Sequence, residues 1–135
     1  MISQDVVVAT RFLAHLADLP LECDGTTRAL SHLLNHAHVE HEVHVGALEV
    51  DGVGRIDHHW WIKLRDSFVC DARTVMWLVP EACVQQGVFN PSPLMSYKTE
   101  AILFPECNAT IFWILTGQSS QSFLTHFNNH GHTSI

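Results

Sequence analysis

The hydrophobic pattern of this chain changes period near residue 38, and that change limits the folds open to it. Over residues 3–19, Val6, Ala9, Leu13 and Leu16 recur at helical spacing, flanked by Phe12 and Leu19, and Pro20 stops the run. A second helix is expected over residues 26–35, with Ala29, Leu30, Leu33, Leu34 and Ala37 on one face and Asp24 or Thr26 placed to cap it. From residue 39 the period is two. Val43, Val45 and Ala47 alternate with Glu42, His44 and Gly46, which predicts a strand over residues 39–50. Asp51, Gly52, Val53 and Gly54 supply a turn, and strands follow over residues 58–64 and 67–71, joined at Arg65 and Asp66. Two helices followed by an antiparallel meander make an α+β arrangement.

The pattern is weaker beyond Asp71. Residues 74–78 are apolar without a clear period, Pro80 stands near the start of a helical turn, and residues 87–93 read as a loop. Residues 101–104 and 109–115 are strand candidates. The second is almost wholly apolar and is expected at the centre of a sheet. A last helix is expected within residues 118–129, ahead of a loose tail.

One domain, residues 1–135, accommodates this length, with 47% hydrophobic and 16% charged residues. The net charge is -7 and the seven Lys and Arg form no stripe, which argues against nucleic acid and anionic membrane surfaces as partners. Asp5, Arg11 and Asp18 interrupt the N-terminal apolar run, and no stretch approaches the roughly 18 apolar residues of a membrane span. A cytoplasmic protein is expected. Cys23, Cys70, Cys83 and Cys107 are irregularly spaced, as free thiols would be. Oligomeric state leaves no mark on the sequence.

Three residues stand out in order. Cys23 precedes the second helix, His59 lies on the second strand, and Asp71 ends the third. A helix start offers unpaired N–H groups and positive partial charge that favour a thiolate. An imidazole can take the thiol proton, and a carboxylate on the neighbouring strand can fix its tautomer. On a strand, His59, Trp61 and Lys63 share one face while Trp60, Ile62 and Leu64 pack inward on the other. His58 is the rival base.

Residues 23–34 together with 39–46 resemble the nucleophile helix and first strand of the transglutaminase-like superfamily. His59-x-Trp61-Ile62-Lys63-Leu64 is similar to that family's His-x-Trp-Val-Glu-Leu strand, and residues 69–74 to its Asp-containing strand end. Lys63 departs from the family's acidic residue. The resemblance covers residues 21–74 and implies a papain-like fold, with an N-terminal nucleophile helix packed on an antiparallel sheet. It also implies Cys23 as nucleophile, His59 as general base and acid, and Asp71 as the orienting carboxylate. Small bacterial leader peptidases are similar members. The implied activity is amide cleavage in a peptide or protein substrate through an acyl-enzyme, without a cofactor; amine transfer and deamidation are the alternatives. Trp60, Trp61 and the loop at residues 87–93 are candidates to line a substrate groove.

Metal binding is the competing reading, since eleven histidines include His32, His36, His38, His41 and His44 in one stretch. His32 and His36 have the i, i+4 spacing of zinc ligands, but no acidic residue lies between them and no cysteine pair assists. They read instead as the solvated face of the second helix and strand, His126, His130 and His132 toward the tail make a weaker candidate still, and no metal ligand is assigned. A protein-interaction module that keeps the fold without the chemistry is the third reading.

Overall fold

The computed structural model describes residues 3–17, 19, 21, 23–71, 87–105, 107–121 and 124, with Ala17, Cys23 and Asp66 described in backbone only. Helices α1 (Gln4–Ala17) and α2 (Cys23–His36) lead into strands β1 (His41–Val50) and β2 (Gly54–Leu64). A 3-10 turn (Arg65–Ser67) connects to β3 (Val69–Asp71), and β4 (Gly87–Phe89), β5 (Met95–Leu103) and α3 (Ala109–Thr116) complete the described elements. The strands form one antiparallel sheet in the order β4-β3-β2-β1-β5. The fold is α+β.

The apolar stripe of α1 (Val6, Ala9, Phe12, Leu13 and Leu16) is buried against Ala29, Leu30, Leu33 and Leu34 of α2. The same core takes in Val43, Ile62, Leu64 and Cys70 from the sheet and Phe112 from α3. Because α1, β2 and α3 all contact it, α2 buries polar positions too: Thr26, Thr27, Ser31 and His32. The other face of the sheet carries a second core of Leu48, Val50, Trp61, Val69, Phe89 and Met95. A sheet buried on both faces explains why neither side of β2 reads as a clean polar stripe.

Gly46 marks an irregularity in both ladders of β1. Pairing runs Gly46↔His59 and then Leu48↔Ile56 on one side, and Val45↔Ala101 and then Gly46↔Thr99 on the other. On β2 the extra residue is accommodated by His58, whose φ of 56° lies in the left-handed region. A bulge changes which residues share a face. Ile56 therefore joins Trp61 and Leu48 in the second core, whereas strict alternation would turn it to the helices. A Cβ at Gly46 would lie 2.0 Å from the Lys98 carbonyl oxygen, so only glycine permits β5 to approach this closely.

Several expectations change. α2 begins at Cys23, so Asp24 and Thr26 lie within its first turn rather than capping it. The expected loop at residues 87–93 opens as strand β4. Residues 109–115 form a helix, not a central strand. Asn108 caps it by accepting from the Ile111 N–H, and Gly117 closes it at φ 72° with its N–H on the Trp113 carbonyl. These end signals override the β-branched, aromatic composition between them. Residues 74–84 and most of 118–129 lie outside the described residues.

Replacing Gly46 by alanine is expected to cost at least about 3 kcal/mol, since backbone atoms rather than a flexible side chain must move. Urea unfolding measures this; a loss under about 0.5 kcal/mol would contradict the packing described.

Candidate active site

Strands β2 and β3 pair Ile62↔Cys70 and Lys63↔Val69. Continuing that register sets Asp71 opposite Trp61, within diagonal reach of His59 on the same face. The side chains meet there: His59 Nε2 lies 2.6 Å from Asp71 Oδ2, with the two side chains 1% and 2% exposed. The same carboxylate oxygen accepts the hydroxyl of Tyr97 at 2.8 Å. Burial and the neighbouring carboxylate push the Tyr97 phenol far above its usual range, so it stays protonated and donates. A carboxylate that accepts from the phenol also accepts from the imidazole, which puts the histidine hydrogen on Nε2. Proton exchange with any nucleophile then falls to Nδ1.

Tyr97 also reveals the shape of the sheet. It belongs to β5, three strands from β3, a separation of roughly 14 Å in a flat sheet. Side chains that stand roughly perpendicular to a flat sheet would not span that distance. The sheet therefore curls around its second face, with the dyad on the concave side. The Trp61 indole fills that concavity, 4.8 Å from the Tyr97 ring, 6.1 Å from His59 and 5.7 Å from His44. Nothing in the local sequence around Tyr97 points to this role; its hydrogen bond depends on the curl.

His59 and Asp71 are thus brought together, and Asp71 takes His59 rather than the exposed His58. Cys23 opens α2, and its thiol lies outside the described atoms. The helix runs in the same direction as β2: Ser31 Oγ meets His41 Nε2 at 2.7 Å, at the level of Leu64, while the Arg28 guanidinium lies 5.2 Å over the Trp60 ring. Five residues before Arg28, or about 7.5 Å further along the axis, the N-terminus of α2 lies at the His59 end of the strand. The apolar side of α2 packs on the Trp60, Ile62 and Leu64 face, whereas the dyad occupies the opposite, concave one. Trp61 is a core side chain with 2% exposure and offers a ligand almost no surface; Trp60 is half-buried.

Two other thiols have defined surroundings. Burial, reinforced by Asp71, pushes Cys70 up to about 12, and burial also raises Cys107. Neither thiol is activated toward the thiolate. Cys83 lies outside the described residues. A cleft of about 730 Å³ between the C-terminal end of α2 and strands β1 and β2 is lined by His38, Glu40, His41, Glu42, Lys63 and Arg65 among others, away from the dyad.

The expected solvated histidine face is only partly so. His36 and His38 are exposed, whereas His32 and His44 are buried. His44 is held by Thr99 Oγ1 at 2.7 Å and Glu42 at 3.2 Å. Among the described residues, no three His, Cys, Asp or Glu side chains converge as a metal centre. Residues 126, 130 and 132 lie outside the described part. No described helix is long and apolar enough to cross a membrane. No family model, curated protein or solved structure matches the chain.

Cys70 and Tyr97 hold protons in the folded chain that the unfolded chain releases at ordinary values. Stability is therefore complete below the ordinary thiol value of about 8.5 and falls as pH rises beyond it. Tyr97→Phe is expected to cost about 1.5–3 kcal/mol at pH 7, the range for a buried hydrogen bond to a charged group, and to flatten the alkaline fall. Urea unfolding from pH 7 to 10.5 checks both; an unchanged midpoint for the variant would remove the Tyr97–Asp71 bond from the account.

Proposed function

We propose that this chain is a thiol enzyme of the transglutaminase-like, papain-type class, acting on amide bonds of a peptide or protein, with Cys23, His59 and Asp71 as its triad. The reading rests on one observation: the 2.6 Å His59 Nε2–Asp71 Oδ2 bond across adjacent strands. That bond assigns any proton exchange with a thiol to Nδ1. Cys23 opens a helix whose N-terminus reaches the His59 end of β2, and because that helix packs on the face opposite the dyad, the triad requires the thiol to meet Nδ1 around the strand rather than directly across one face.

In this reading Nδ1 takes the Cys23 proton, and the thiolate–imidazolium pair is stabilised by the helix N-terminus and by Asp71. The thiolate attacks the amide carbonyl and the Cys23 backbone N–H helps hold the oxyanion. His59 then protonates the leaving amine, and the acyl-enzyme is released by water that His59 deprotonates. An amine in place of water makes the reaction a transfer.

A second reading is favoured by the near-complete burial of His59 and by Tyr97 sharing its carboxylate. Here the three groups are a polar strut that fixes the curl of the sheet. The two readings differ in the reactivity of Cys23. Iodoacetamide labelling at pH 6, resolved by cysteine with mass spectrometry, is expected to modify Cys23 at least tenfold faster than Cys70 or Cys107. His59→Gln should abolish that advantage, with circular dichroism confirming the fold. Equal rates at all three positions would leave the strut and remove the enzyme.

A further inference from the structure

His32 lies in the middle of α2, with α3 packed against the helix and the Phe112 ring centred 5.2 Å away. Its Nδ1 is 2.9 Å from the Cys107 carbonyl oxygen. A carbonyl only accepts, so Nδ1 carries the hydrogen and Nε2 holds a lone pair. That Nε2 is buried with no hydrogen-bond partner among the described residues, in a side chain only 7% exposed. A buried acceptor left unsatisfied is rare and destabilising unless something occupies its lone pair. One helical turn on, the exposed His36 ring is centred 4.7 Å from His32, its plane inclined by 75°.

We infer that His32 Nε2 and His36 form a two-imidazole site for a divalent late first-row metal ion such as Zn²⁺. Nitrogen–zinc bonds of about 2.0–2.1 Å put a ring centre roughly 3.2 Å from the ion. Two such rings at angles of 90–110° stand about 4.5–5.2 Å apart, and the observed separation falls in that window. The Cys107 carbonyl acts as the outer partner that metal-bound imidazoles characteristically have, fixing both tautomer and ring orientation. Phe112 packs on one side, and because Nε2 is closed to solvent here, the ion and the water that completes its coordination reach it only when the exposed His36 ring moves. This site is separate from the dyad and does not depend on Cys23.

The test uses the full chain with Cys23→Ser, His130→Ala and His132→Ala, which removes competing thiol and tail ligands. Metal-stripped protein is titrated with Zn²⁺ by calorimetry and followed by thermal unfolding, with and without His36→Ala. One equivalent of zinc bound at His36, at least tenfold weaker binding in His36→Ala, and loss of the zinc-induced rise in Tm are expected. Because His36 is exposed, that substitution leaves the core intact, and His32→Gln provides a second variant that should behave alike. No zinc uptake, or identical isotherms and Tm shifts with and without His36, overturns the site.

Discussion

The Asp71 carboxylate is the point at which the concave face of this protein is tied together. It receives an imidazole from the neighbouring strand and a phenol from a strand three places away, on one oxygen. A charge buried this deeply persists only with donors to satisfy it. Losing either donor would leave the carboxylate short of a partner. The bond to Tyr97 requires the sheet to curl, and the curl gives Trp61 its enclosure between His44, His59 and Tyr97. One carboxylate thus couples the shape of the sheet to the tautomer of His59.

The curl has its own local cause. At Gly46 both neighbouring strands slip register, β5 approaches to a distance that excludes a side chain, and His58 takes up the extra residue in a left-handed conformation. Bulges raise local twist and re-aim side chains. This one directly precedes His59, so the imidazole is set by the same irregularity that bends the strand. Helix α2 closes the opposite face, buried by α1, the sheet and α3 at once. Its crowded surroundings enclose His32, whose Nε2 has no hydrogen-bond partner among the described residues.

The two N-terminal helices and the first three strands were legible because their apolar residues keep a single period over long runs. The His59–Asp71 pair was legible from alternation and a short turn, which together fix relative register. Residues 109–116 were not, because their composition favours a strand and only Asn108 and Gly117 carry the helical signal. Trp61 looked like a groove residue because alternation places it beside polar neighbours; a second core on that face buries it instead. Tyr97 and the burial of His32 depend on contacts made across the sheet and between helices, which local patterning does not encode.

The central claim is that His59, oriented by Asp71 through Nε2, activates the Cys23 thiol through Nδ1. Thiolate absorbance at 240 nm, titrated from pH 4 to 10 in the wild-type chain and in Cys23→Ala, tests it most directly. The expected result is one thiolate forming well below the ordinary thiol value of about 8.5, absent from Cys23→Ala. A wild-type curve with no thiolate below pH 7, superimposable on that of Cys23→Ala, would contradict the claim.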